Sequence, residues 1–398
     1  MLNLHEALEI LLNAVEPLST QEISVADGCG RVLAAPVYTP RAFPDTPRSA
    51  VDGYALGSTD RNIFQVKECL GAGEISLQHL QLGDAAAVMT GATVPEGAVA
   101  VVRVEDTQER QGQVNVLTPI EEGCNINRVG EEAEPEQLIL SRGHRLSAVD
   151  SSVLCYAGLE NIEVYKRPSV GILITGSELL EPGEPHQAGK AYNSNCHLLY
   201  QVLVQLGLDC TLKGPIADDP ELLQKALDEL GAQNDVVVSS GGVSMGKYDY
   251  IRPLLQSAPY TGIVNRTGIK PGRPLVVAQR DATLCFGMPG YPAAFLTNMF
   301  VYLLPVLKKI AGWAACQPGW RCVRMQSPVH GRKGRCDLVR ASISNRDAEL
   351  YAEPLTDQLT SHYLNLATCD ALLLLDSATD TLGPGELAQA LIFTQELY

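Results

Sequence analysis

The sequence has no surplus of basic residues: its Asp and Glu outnumber its Lys and Arg by 46 to 30, a formal net charge of −16. A general nucleic-acid binder needs a basic footprint, so that class is set aside. A small anionic ligand is not, because it needs only a local group of cations and backbone N–H groups. The 11 cysteines run from Cys29 to Cys369 with no CxxC pair and an odd total. That spacing points away from a zinc site or a disulfide framework and towards thiols kept reduced in a cytosol. The N-terminus shows no basic leader before an apolar run. No stretch approaches the ~18 uninterrupted apolar residues of a membrane helix. A cytoplasmic protein that binds neither membrane nor nucleic acid is therefore expected. There is no internal repeat and no low-complexity tract.

What is present is 398 residues, 45% of them apolar, enough for several domains with cores of their own. Residues 3–15 read as an amphipathic helix. Asn3 and Glu6 fit a capping box, and Leu4, Ala7, Leu8, Leu11, Leu12 and Val15 form one stripe. Over residues 20–140 helical periodicity fades, and short β-type runs such as Ala85–Met89, Ala98–Val104 and Gln113–Leu117 are divided by Gly, Pro and Asp. A second helix is expected over 147–157, with Ser147 as N-cap and Gly158 just past its end. Strands then alternate with helices. Val170–Ile174, Cys210–Gly214, Asp235–Ser239, Leu275–Ala278 and Leu284–Phe286 are the strands. Cys196–Leu206, a helix opened by Asp219-Pro220, and the long apolar Pro292–Ile310 are the helices. This is an α/β pattern, a mostly parallel sheet with helices on both faces, and such sheets bind ligands beyond the carboxyl ends of their strands. After residue 316 short β runs return, including Leu338–Ile343 and Leu372–Leu375, with a turn at Pro384-Gly385. The expected division is 1–45 with 141–166, an inserted β-rich 46–140, the α/β domain 167–315, and a C-terminal β-barrel 316–398.

Several loops carry residues suited to chemistry. Val236-Val237-Val238-Ser239-Ser240-Gly241-Gly242-Val243-Ser244-Met245-Gly246 is a buried strand entering a Gly/Ser loop. It is neither GxGxxG nor a Walker A pattern, and reads either as a tight turn or as a phosphate-holding loop. Lys270-Pro271-Gly272-Arg273-Pro274 sets two cations around a rigid turn, which suits an oxyanion. Gly287-Met288-Pro289-Gly290-Tyr291-Pro292 leads from a strand into the long helix, whose N-terminus has N–H groups to offer. Glu178, Asp218 and Asp249 fall at strand ends, where together they could ligate Mg²⁺ bridging phosphates. Asp219 is most simply an N-cap. In the N-terminal half Ser49-Ala50-Val51-Asp52-Gly53-Tyr54-Ala55 contains an Asp-Gly hairpin signal, and Met89-Thr90-Gly91-Ala92 reads as a turn.

Taken together these motifs resemble the family of MoeA and the gephyrin E domain. Ser49–Ala55 resembles the family's Ser-Ala-Met-Asp-Gly-Tyr-Ala, and Met89–Ala92 with Val94-Pro95-Glu96-Gly97-Ala98 its Met-Thr-Gly-Ala stretch and sequel. The Gly/Ser loop with Asp249-Tyr250, Lys270–Pro274 and Gly287–Gly290 match in the same order, from end to end of the chain. The resemblance implies an elongated, four-domain homodimer whose α/β domain is similar to that of MogA-like proteins. It implies a cleft between that domain and the other subunit's N-terminal β module. The substrates would be molybdopterin-AMP and molybdate, the products AMP and molybdenum held on the dithiolene sulfurs, with Mg²⁺ assisting and a MogA-like adenylyltransferase as the partner upstream. In that scheme Ser240, Gly241, Gly242, Ser244, Gly246, Asp249, Pro289 and Gly290 bind the pterin phosphate. Lys270 and Arg273 hold oxyanions. Asp52, Thr90 and Glu178 position metal or the attacking oxygen, and Glu178, Asp218 and Asp249 ligate the metal.

Some positions depart from the family. Its Gly-Asp-Glu-Leu is Gly176-Ser177-Glu178-Leu179 here, and its Tyr-Asp-Ser-Asn is Tyr192-Asn193-Ser194-Asn195. An Asp becomes Glu132, and Leu-Pro-Gly-Asn-Pro-Val-Ser becomes Met288-Pro289-Gly290-Tyr291-Pro292-Ala293-Ala294. These losses leave two other readings open: a catalytically weakened paralogue serving as a dimeric scaffold, and a MogA-like adenylyltransferase.

Overall fold

The computed structural model describes residues 1–244, 246 and 249–397. The chain forms two compact units. The first comprises Met1–Ala35, Arg142–Ser152 and Glu160–Tyr398, and the second Pro36–Ser141 and Val153–Leu159.

At the centre of the first unit is a six-stranded sheet in the order Cys210–Ile216, Val170–Thr175, Val236–Ser240, Thr283–Met288, Val276–Arg280, Thr261–Val264. The first four run parallel, Val276–Arg280 runs against them, and Thr261–Val264 runs with them again. Val170–Thr175 and Val236–Ser240 are buried at every position, as strands covered on both faces must be. On one face lies the helix Pro220–Gly231. Asp219 caps it by accepting from the N–H groups of Glu221 and Leu222, and Leu223, Ala226, Leu227 and Leu230 pack on Leu173 and Val237. On the other face, Leu199 and Leu203 of the helix Asn195–Gln205 share a core with the long apolar helix and with Leu4, Leu8 and Leu11 of the helix Leu4–Asn13. The capping box of that first helix forms in both directions, Asn3 N to Glu6 Oε2 and Glu6 N to Asn3 Oδ1, each at 2.9 Å. The mostly parallel sheet with helices on both faces is as expected.

The long helix is less regular than its periodicity suggests. It runs Pro292–Asn298, then a π turn Met299–Leu303, then Leu304–Ile310. Pro305 follows directly, so the wider turn gives slack where a proline ring would clash with the preceding α turn. By composition this 19-residue stretch is apolar enough to cross a membrane, but 94% of its span is buried inside the protein. It is a core helix.

The C-terminal strands close on themselves. Cys336–Arg346 pairs with both Glu349–Pro354 and Ala371–Leu375, and Arg321–Met325 and Leu387–Ile392 complete the ring. The expected β-barrel is therefore present, with five strands in its wall. Arg340, on the opposite face of its strand from the core residues Val339 and Ala341, is wholly buried and donates to the carbonyls of Asp357, Leu359 and His362 and to Asn365 Oδ1, holding the 355–368 loop. A second buried cation ties the chain end to the long helix. Lys308 Nζ lies 2.7 Å from Glu396 Oε2, and Glu396 Oε1 accepts from Gly319 N at 2.6 Å.

The second unit has its own six-stranded sheet, in the order Ala100–Arg103, Gly53–Leu56, Asp84–Val88, Ile63–Leu70, Gln113–Val116, Thr107–Arg110. Two small apolar clusters, one around Ala55, Ala86 and Val101 and one around Leu56, Phe64 and Val114, fill its two faces.

Stripping one partner from the buried ion pair should leave the other charge stranded. Lys308→Met is expected to lower unfolding stability by about 3–5 kcal/mol, and the double variant Lys308→Met/Glu396→Leu should regain much of that loss. Denaturant titration measures both; equal losses in the single and double variants would show that the pair contributes mainly through packing.

Candidate functional site

Because four strands of the central sheet run parallel, their carboxyl ends reach one edge together. Ser240 is level with Ile174 on one side and Met288 on the other. Thr175 Oγ1 donates to Ser240 O at 2.9 Å, and Gly241 N donates to Met288 O at 2.8 Å. Gly241 has φ +105°, and a Cβ there would lie 3.0 Å from Thr175 Oγ1; Gly242 has φ +71°, and its Cβ would lie 2.8 Å from Ile251. Only glycine fits both requirements. Pro289 is buried behind this loop, and Gly290 is exposed with its Cβ direction facing Gly241.

Two residues not singled out from the sequence hold this edge together. Asn195, at the start of its helix, donates from Nδ2 to Ser240 Oγ at 3.1 Å and to Gly290 O at 2.8 Å, thereby joining the Gly/Ser loop to the Met-Pro-Gly turn. Its Oδ1 is buried and has no partner among the described residues. Arg252 is buried under the loop. Its Nε donates to Val243 O at 2.6 Å and its Nη1 to Asn265 O at 2.9 Å, and its own N–H donates to Gly242 O. Burial, then the nearby charge of Arg266, lowers its pKa. The signal for Asn195 was its place in the Tyr-Asn-Ser-Asn motif; nothing in the sequence marked Arg252.

Ser244 is exposed on the loop, and Gly246 N donates to Asp249 Oδ2 at 2.5 Å. Met245 of the motif lies outside the described residues. Asp218 lies within electrostatic reach of Glu178 and, more weakly, of Asp249. Partial burial, then the charge of Glu178, and after these Asp249, push its carboxyl above the ordinary range, while the N–H and hydroxyl of Ser177 pull it back. The residue that replaces a family acid thus eases the charge of the neighbouring acid. Among the described residues no three His, Cys, Asp or Glu side chains are gathered to hold a metal ion. The expected magnesium set Glu178, Asp218 and Asp249 is therefore a neighbourhood of acids and not a formed cage. Its chemistry still fits, since hard, mutually repelling carboxylate oxygens are what Mg²⁺ takes.

Lys270 and Arg273 are both exposed and make no ion pair with any described residue. Their turn is held by Thr267 N to Arg273 O at 3.3 Å and by the pairing of Ile269–Lys270 with Cys336–Asp337 of the barrel.

The second unit brings its two motifs into contact. Asp52 Oδ1 accepts from Thr90 N at 2.6 Å and from Thr90 Oγ1 at 2.8 Å. These bonds, the backbone one first, hold the Asp52 carboxyl below its ordinary pKa. Asp52-Gly53 is not the hairpin turn its composition suggests. Gly53 opens a strand, and a Cβ on it would lie 1.9 Å from Val102 O, so the glycine is there for a close backbone approach. Of the other departures, Asn193 is buried and donates to Glu181 Oε1, Tyr291 is exposed, Ala294 is buried, and Glu132 accepts from Tyr156 OH.

A parallel sheet edge with a glycine loop, a neighbourhood of acids and a turn bearing two cations unpaired among the described residues is an arrangement that suits a phosphorylated ligand. The chain matches the MoeA N-terminal region (domain I and II) over residues 2–158, the probable molybdopterin binding domain over 171–309, and the MoeA C-terminal region (domain IV) over 323–393. It is 30% identical to the molybdopterin molybdenumtransferase of Nostoc sp. over 393 residues, 94% of this chain and 90% of that one. It is 28% identical to that of Bacillus subtilis over 392 residues, 95% and 90% of the two chains. The solved structure of the molybdopterin biosynthesis MoeA protein from Pyrococcus horikoshii superposes with a TM-score of 0.84, covering 99% of each chain at 26% identity. The chain belongs to the molybdopterin molybdenumtransferase (MoeA) family and has a role in molybdenum cofactor biosynthesis.

Two outcomes check the edge. Asp218→Asn removes a repelled charge, so it should raise the thermal midpoint at pH 8; the gain should fade as pH falls and vanish below about pH 4, where the carboxyl is protonated in both folded and unfolded chains. A midpoint lowered at pH 8 would mean Asp218 is held by attraction. Asn195→Ala should cost about 1–2 kcal/mol and speed amide exchange at Gly241; unchanged exchange would show the cross-tie to be incidental.

Proposed function

We propose that the chain is a molybdopterin molybdenumtransferase that inserts molybdate into adenylylated molybdopterin and releases AMP. The observation that carries this reading is the single edge on which the Gly241-Gly242 loop, the acids around Asp218 and the Lys270–Arg273 turn, its two cations unpaired among the described residues, emerge. The loop's N–H groups and Ser240 and Ser244 hold the pterin phosphate, with Pro289 and Gly290 as the opposite wall. Lys270 and Arg273 attract and orient molybdate. Glu178, Asp218 and Asp249 would hold Mg²⁺, which when bound neutralises charge developing on the pyrophosphate as that bond breaks. Asp52, fixed by Thr90 and kept ionised, positions the attacking oxygen or the metal. Positioning and charge neutralisation are what such chemistry chiefly asks of a protein.

The same reading divides the chain into four parts, 1–45 with 141–166, 46–140, 167–315 and 316–398, in a cytoplasmic homodimer whose cleft pairs the α/β domain with the partner's β-rich module. A MogA-like adenylyltransferase would supply the substrate. The scaffold alternative rests on Ser177, Asn193, Tyr291 and Ala294. Against it, Asn193 is built into a hydrogen bond with Glu181, and the polar Ser177 eases the charge of Asp218 beside it. An adenylyltransferase needs only the α/β domain, whereas this chain matches the family's flanking regions as well.

Purified protein incubated with molybdopterin-AMP, Mg²⁺ and molybdate should release AMP only when molybdate is present. Asp52→Ala and Lys270→Ala should each lose this by about 100-fold or more. Nucleotide binding without release would give the lead to the scaffold.

A further inference from the structure

Where the long helix passes into its π turn, Asn298 is completely buried, and neither its Oδ1 nor its Nδ2 bonds to a described residue. Tyr302, on the same helix and inside the π turn, is equally buried, and its hydroxyl has only Thr267 beside it, short of full hydrogen-bond geometry. Both approach the underside of the Lys270–Arg273 turn. A Cβ on Gly272, whose φ is +115°, would lie 2.6 Å from Asn298 Oδ1. Thr267, whose Oγ1 donates weakly to Gly272 O at 3.3 Å, is the polar neighbour of the Tyr302 hydroxyl. Ile269 also faces Gly272, and Phe295, Met299 and Phe300, the helix neighbours of Asn298, belong to the apolar core. A leucine would suit that setting better than a bare amide, which is costly in a dry interior unless something satisfies it. π turns recur where a helix must aim a side chain at a functional site.

We propose that Asn298 is a positioning residue, which with Tyr302 holds internal water against the Lys270-Pro271-Gly272-Arg273 turn. The amide offers one acceptor and two donors, the tyrosine a donor and an acceptor, and Gly272 O and Thr267 Oγ1 complete the partners an internal water needs. The water sets the height of the turn, and with it the placement of the two cations that meet the oxyanion. This rests on the transferase reading only for what the cations bind; the hydrated contact under the turn does not.

The test uses the full chain. A high-resolution crystal structure of the unmodified protein should show ordered water within hydrogen-bond distance of Asn298 and of Gly272 O or Thr267 Oγ1. Asn298→Leu should keep or raise the thermal midpoint, yet raise the molybdate KM by about fivefold or more with kcat within about twofold, and Asn298→Ser, which keeps a polar partner, should recover most of that loss. A merely structural role would move the midpoint and leave the KM alone. Density showing the amide bonded directly to main chain with no water, or an unchanged KM in Asn298→Leu beside a dead Lys270→Ala, overturns the inference and leaves the transferase standing. If Lys270→Ala is itself fully active, the oxyanion role of the turn fails instead. Should no AMP be released at all, the crystallographic water alone decides.

Discussion

The alignment of Val170–Thr175, Val236–Ser240 and Thr283–Met288 is the constraint on which the rest of the α/β unit depends. These strands are buried on both faces, so their backbone groups must pair with one another, and the pairing brings Ile174, Ser240 and Met288 to one level. Every loop that leaves the sheet there starts at the same height. The close contacts beyond it, Thr175 to Ser240 and Gly241 to Met288, follow from that level. So does Asn195's ability to reach two loops with one amide group.

Charge is arranged on this edge in an unbalanced way. Asp218 is repelled by its neighbours, and Lys270 and Arg273 meet no acid among the described residues. A protein optimised only for stability would pair these groups; the proposed binding of Mg²⁺ and molybdate would need them open, at a cost carried by the core. Arg252 shows the other strategy, a buried cation spending its donors on main-chain carbonyls to keep a loop in shape.

Much of this was legible in the sequence. The strand–helix alternation, the caps at Asn3 and Asp219, and the glycines of the 240s loop follow from local chemistry, and local chemistry decided them. Motif resemblance alone gave Asp52 and Thr90 a common role, and their contact was not legible, since residues 38 apart carry no spacing signal. Gly53 was misread as a turn because its reason, a carbonyl of a neighbouring strand, is tertiary. Arg252, Asn298 and the π turn were invisible for the same cause: each is defined by what packs on it, and no period or cap announces that.

The helix Pro292–Ile310 has one more consequence, for how the chain comes into being. Outside the protein its apolar surface would be a liability to any cell that sorts nascent chains by hydrophobicity. Most of the surfaces that cover it, from Leu4 to Met288, precede it in the chain. A ribosome therefore makes the cover first, and the segment emerges beside a largely complete partner, so the time it spends exposed to membranes, chaperones or other copies is short.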